Sequence, residues 1–196
     1  MVDVAIDGGS ARWGSSSSVI DFTQKKPIIT RRGVITQDDV DRVTGKKSIL
    51  FVCTGNSCRS VMAEYILKSM VHSRPDVEVA SAGTSVFINS MASGETISVL
   101  REEGIDASKH QSQPINSVML KKADLIFVMT RAHRQQVLER VPEVEKRVYL
   151  LREFAQNPAG FNIDLDIADP IGKPHLAYKE CLAVIKEAVM KIVNLI

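Results

Sequence analysis

The 196-residue chain is 44% hydrophobic and 24% charged, which suits one soluble domain with a small appendage and a core that needs no covalent staples. Its 25 basic and 23 acidic side chains are spread along the chain to a net charge of +2, which excludes a broad basic face for nucleic acid. Three cysteines form no disulfide framework, the acidic N-terminus is unlike a signal peptide and the apolar runs are only strand-length, so a cytoplasmic protein with reduced thiols and no membrane partner is expected.

Residues 1–45 carry Gly8, Gly9 and Gly14, four serines at 15–18, and two strand-like pieces near 19–22 and 27–30. They predict a β-hairpin or extended arm, with 36–45 as a polar linker. The stretch 15–36, SSSSVIDFTQKKPIITRRGVIT, resembles the tail of the nucleotide-binding domain of threonylcarbamoyl-AMP synthases. The bulk of that domain would lie upstream, so the resemblance implies no synthase activity. An arm that packs on a second subunit, giving a homo-oligomer, is one role for it.

From residue 46 to 196 short apolar runs alternate with segments of helical period, the pattern of an α/β domain with a parallel sheet. Strands are predicted at 48–53, 77–82, 124–129 and 147–151, and helices at 60–71, 93–103, 115–121, 131–141 and from about 175. The last places Leu182, Ile185, Val189, Ile192 and Ile196 on one stripe.

The informative segment is 49–64, ILFVCTGNSCRSVMAE. A strand ends at Cys53, a loop of Thr54, Gly55, Asn56, Ser57 and Cys58 follows, and Arg59 and Ser60 open a helix. Backbone N–H groups of such a loop, backed by a helix N-terminus, cradle a phosphate dianion, and Gly55 and Asn56 most readily supply a positive φ. A thiol on that positively polarised floor favours its thiolate form, a nucleophile aimed at phosphorus. The planar fork of Arg59 suits two phosphoryl oxygens. A general acid is still required, and Asp169, in the 167–174 loop IADPIGKP with Pro170 beside it, follows the fourth predicted strand, where loops of a parallel sheet meet at one edge. Asp164 and Asp166 are weaker candidates. The acid must not be permanently clamped by a cation.

The octet 53–60, CTGNSCRS, resembles the phosphate-binding loop of low-molecular-weight protein tyrosine phosphatases, and the resemblance runs from about residue 47 to the C-terminus. It implies a four-stranded parallel sheet with flanking helices and a phosphocysteine intermediate. It also implies Cys53 as nucleophile, Arg59 as phosphate clamp, Asp169 as acid, and a supporting network of Asn56, Ser60, Ser81 and His110. Cys58 matches a family thiol that traps the oxidised nucleophile.

Three positions depart from the pattern or bear on substrate. Val61 replaces a usual proline at the helix start, a cheap change. Ile171 stands where many members place an aromatic, which leaves Phe87 as a substrate wall or else a core residue. Ser57 is small and hydroxylic where phosphotyrosine-selective members are often bulky. In this it resembles protein-arginine phosphatases, so phosphoarginine joins phosphotyrosine as an expected substrate. Thioredoxin-coupled arsenate reductases have nearly the same loop but need two more cysteines after the third strand, and 127–137 has none. A silent phosphate-binding module is the non-enzymatic alternative. Cys181 reads as packing, and His72, His133 and His175 as surface or capping residues without metal-like spacing. No cofactor is called for, since the cradle and Arg59 neutralise charge that magnesium handles elsewhere.

Overall fold

A computed structural model describes residues 9–10, 14–24, 27–87, 90–154 and 164–196. The chain divides into two compact units, Met1–Lys46 and Lys47–Ile196.

In the first unit β1 (Val19–Asp21) and β2 (Ile28–Arg31) pair antiparallel, as the hairpin reading expects. Residues 36–45, expected as a polar linker, hold a helix: α1 spans Gln37–Thr44. Its polar composition conceals a capping box in which Thr36 Oγ1 accepts from Asp39 N and an Asp39 carboxylate oxygen accepts from Thr36 N. Asp38 and Asp39 also face the positive end of the helix, and Val40 is buried.

The second unit runs β3 (Lys47–Cys53), α2 (Arg59–Met70), β4 (Val77–Gly83), α3 (Gly94–Glu102), α4 (Ser117–Lys122), β5 (Leu125–Val128), α5 (Arg131–Arg140), β6 (Val148–Leu150) and α6 (His175–Val193). The strands form one parallel sheet in the order β4-β3-β5-β6. Alternation along β3 explains its unbroken apolar run. Ile49, Phe51 and Cys53 join the core with α2 and α6, whereas Leu50 and Val52 join the core with α4 and α5. Phe51 stacks on Phe127 of β5 with ring centroids 5.6 Å apart. The predicted stripe of α6 is buried through Leu182, Ile185, Val189 and Ile192.

Boundaries shift where local chemistry decides them. The helix expected at 115–121 begins at Ser117 because Asn116 Oδ1 accepts from Met119 N at 2.9 Å. Strand β6 is shorter than 147–151 because 3-10 turns at Pro142–Arg147 and Leu151–Phe154 flank it. Among the described residues no helix is long and apolar enough to cross a membrane.

The connection after β3 leads to β4 on one side, and the chain then crosses to β5 on the other. The carboxyl end of β3 therefore lies at the switch point of the sheet, where parallel α/β domains form their binding crevice.

Candidate active site

Residues 54–58 turn from β3 into α2 at that switch point. Asn56 adopts φ 52°, the left-handed conformation the sequence assigned to Gly55 or Asn56. It is fully buried, and its side chain pins the turn. Nδ2 donates to Ser60 Oγ at 3.0 Å and Ser81 Oγ at 2.7 Å, and Oδ1 accepts from Gln113 N at 2.9 Å.

The loop carbonyls are held from outside. Cys53 O accepts from Thr84 N, Thr54 O from Ser85 N and Ser57 O from Ser93 N, each at 2.9 Å. Asn56 O accepts twice, from His110 Nε2 at 3.0 Å and Ser112 Oγ at 2.6 Å. With these oxygens committed to the scaffold, amide N–H groups are the backbone polarity left for a guest anion. Gly83 makes the approach of β4 to the loop possible. A Cβ there would lie 2.4 Å from Thr54 O and 3.0 Å from Asn56 N.

Beneath the loop runs the network implied by the resemblance, with one addition. Ser81 Oγ donates to Glu64 Oε2, and Lys68 Nζ pairs with Glu64 Oε1. Glu64 is only 6% exposed. The sequence reading missed it, although it falls one turn after Ser60 on the same face of α2, the available signal. His110 Nδ1 lies 3.7 Å from Glu64 Oε2, beyond hydrogen-bond length. Burial lowers the His110 pKa, against the opposing pull of Glu64.

Cys53 ends β3 on the α2 side, with Sγ 3.0 Å from Ser60 Oγ. Arg59 is 4% exposed. Its Nη1 donates to Ile167 O at 3.0 Å, and its Nη2 pairs with Asp169 Oδ2. Its Nε is a buried donor with no hydrogen-bond partner among the described residues, costly unless an acceptor is supplied there. The structure thus brings Cys53, Arg59 and Asp169 to one sheet edge. Asp169 is nonetheless paired with a cation, contrary to what was required of the acid. Asp164 and Asp166 instead bond to Arg131, Asp166 Oδ1 through the Arg131 backbone N–H at 2.8 Å.

Cys58 is buried, and its Sγ donates to Ser93 Oγ at 3.5 Å. Ser57 is half-buried, Thr54 exposed and Gly55 half-buried. Phe87 is 83% exposed, which removes the core alternative, and Ile171 is exposed as well. Cys181 is buried on α6 with its thiol pKa pushed up to about 12, chiefly by desolvation, and packs as expected. His72 is exposed and His175 half-buried, its Nε2 2.9 Å from Glu102 Oε1, as surface residues. His133 is not a surface residue: it is 4% exposed, and Nε2 lies 2.9 Å from Thr54 Oγ1. The sequence signal for it was its place in the first turn of α5, at the same sheet edge as the loop after β3. No group of three or more His, Cys, Asp or Glu able to hold a metal ion occurs among the described residues.

Residues 48–196 match the family model described as low molecular weight phosphotyrosine protein phosphatase. The chain is 37% identical over 143 residues to a probable low molecular weight protein-tyrosine-phosphatase EpsP of Ralstonia nicotianae, covering 73% of this chain and 91% of that protein. It is 39% identical over 131 residues to a protein-arginine-phosphatase of Geobacillus stearothermophilus, covering 67% and 83%. Among solved structures it resembles the arginine phosphatase YwlE of the same organism, with a TM-score of 0.67 and 34% identity over 76% of this chain and 91% of that one. It also resembles a low molecular weight protein tyrosine phosphatase from T. tengcongensis, with a TM-score of 0.69 and 32% identity over 77% and 100%.

Proposed function

Because this chain belongs to the low molecular weight phosphotyrosine protein phosphatase family, a family of cysteine-dependent phosphatases, we propose that residues 46–196 hydrolyse phosphorylated protein side chains with Cys53, Arg59 and Asp169 as the catalytic set. The Cys53 thiolate attacks phosphorus, forming the S–P bond as the bond from phosphorus to the leaving oxygen or nitrogen breaks. Asp169, as the carboxylic acid, gives its proton to the leaving atom. Water then attacks the phosphocysteine, Asp169 takes a proton from it, and phosphate leaves as the thiolate is regenerated.

Arg59 supports this reading more than any other single residue. Its fork spans Ile167 O and Asp169 while a buried Nε is unpaired, so a phosphoryl dianion competes for the guanidinium and frees the Asp169 carboxyl for proton transfer. Ser60, 3.0 Å from Cys53 Sγ, donates to the sulfur as it ionises and makes it a better leaving group in the second step. Thr54, Gly55, Asn56, Ser57, Cys58 and Ser60 bound the phosphate, with Ser81 and His110 supporting the loop.

Phosphotyrosine and phosphoarginine are the two substrates in view. The small Ser57 leaves room for a guanidinium, and the exposed Phe87 offers a wall for an aromatic ring. Residues 1–45 are an extension, read as the end of a synthase-like domain and as an arm for self-association, and the protein acts in the cytoplasm on protein substrates, without cofactor. The test is turnover of phosphotyrosine peptide, phosphoarginine peptide and a small aryl phosphate by wild type, Cys53→Ser and Asp169→Asn. Cys53→Ser is expected to abolish all three activities and Asp169→Asn to lower kcat by about 10²–10⁴-fold. Residual activity near wild type in Cys53→Ser refutes the nucleophile.

A further inference from the structure

His133 stands apart from the network under the loop and from the roles given above. It opens α5 at the carboxyl end of β5, next in the sheet to β3, and its ring is buried. Both ring nitrogens contact threonine hydroxyls: Nε2 meets Thr54 Oγ1 and Nδ1 meets Thr130 Oγ1, each at 2.9 Å. Thr130 Oγ1 in turn caps α5 by accepting from His133 N at 3.2 Å. Thr54 follows the nucleophile directly and is the exposed side chain of the loop, while its carbonyl is tied back to Ser85 N. The ring fixes the hydroxyl end of that side chain.

We propose that His133 is a positioning residue that holds the Thr54 hydroxyl at the mouth of the phosphate loop as a hydrogen-bond acceptor for the leaving guanidine of phosphoarginine. This rests on the phosphatase reading of the same site.

A neutral imidazole has one N–H and one lone pair, so the chain Thr130–His133–Thr54 has two arrangements of equal charge. In one, Thr130 donates to Nδ1 and Nε2–H donates to Thr54, which keeps its own proton to offer outward. In the other, Nδ1–H donates to Thr130 and Thr54 donates to Nε2, which leaves the Thr54 oxygen lone pairs to face outward. The second suits a guanidine, which carries N–H donors beside the bond to phosphorus. A phenolic ester has no donor there. The ring stays neutral in either arrangement: burial, and next the Arg59 guanidinium, lower its pKa to about 4, against the opposing charges of Asp169 and Asp166. The tautomers can therefore exchange without placing a charge beside Arg59.

The test compares kcat and KM for phosphoarginine and phosphotyrosine peptides in wild type, Thr54→Val, His133→Phe, the double variant and His133→Gln, whose amide reaches the position of Nε2. Melting temperatures are measured alongside. The ratio of kcat/KM for phosphoarginine over phosphotyrosine is expected to fall about tenfold in each of Thr54→Val and His133→Phe, the worth of one neutral hydrogen bond. The double variant should fall no further, because both changes remove one arm. His133→Gln should recover most of the ratio.

A ratio unmoved by His133→Phe overturns the proposal. So do independent losses that multiply in the double variant, or a loss in both substrates that merely follows the melting temperature. Wild-type turnover confined to phosphotyrosine also overturns it while leaving the Cys53 mechanism standing. Absence of any Cys53-dependent turnover sinks the phosphatase reading itself.

Discussion

Asn56 makes three side-chain hydrogen bonds while holding φ 52°. Replacing it with alanine takes a donor from Ser60 and Ser81, leaves Gln113 N without its acceptor and retains the left-handed strain, so Asn56→Ala should cost about 2 kcal/mol in urea unfolding and lower kcat/KM about tenfold. Asn56→Gly relieves only the strain and should recover a minor part. His133 gives a pH dependence of opposite sign to the usual histidine pair. Its folded pKa, about 4, lies below the ordinary 6.5, so its neutral burial is free of cost above pH 6.5. As pH falls toward 4 the unfolded chain gains the proton first, and stability drops by up to about 3 kcal/mol. Thermal melts from pH 7.5 to 4 should show a shallower fall for His133→Phe than for wild type, with the His110 contribution, of the same sign, still present. That Cys53, Arg59 and Asp169 meet at one sheet edge was legible because the loop after the first strand and the Asp-Pro turn after the fourth both leave a parallel sheet at the same end. Glu64 and His133 were not, because their partners Ser81 and Thr54 lie 17 and 79 positions away.

At the scale of elements, the end of β4 shapes the cradle as much as the loop does. Gly83→Ala should push the loop aside through Thr54 O and Asn56 N, and a loss of about 10²-fold in kcat/KM is expected from a shift of this kind. Urea unfolding should show a smaller relative change, which separates displacement of the site from general destabilisation. The strands were readable because burial on both faces leaves an uninterrupted apolar run, as in Ile49 to Cys53. Helix α1 was hidden because an eight-residue charged segment offers only Val40 and Val43 as apolar positions, too few to read a helical period from, and its cap carries the signal. Thr36→Ala should therefore cost about 1 kcal/mol, read as faster amide exchange in Gln37–Thr44.

For the whole molecule, the division at Lys46 and Lys47 separates the hairpin unit from all the catalytic candidates. The T. tengcongensis phosphatase is covered over its full length by 77% of this chain. A chain of residues 47–196 should accordingly fold, and its kcat/KM should stay within about threefold of the full chain, since domain boundaries fall where few contacts cross. A larger loss would give the first unit a part in catalysis. Gel filtration of the two forms then tests whether that unit mediates self-association.

The outward-bonded carbonyls of Cys53, Thr54, Asn56 and Ser57 have a cost in the cell. The backbone of such a cradle reads only the tetrahedral oxyanion and leaves the attached group to the side chains around it, so free orthophosphate competes for the same amides. Turnover is thereby tied to the ambient phosphate pool: the enzyme should slow by simple competition where phosphate is abundant and run fastest in phosphate-starved conditions.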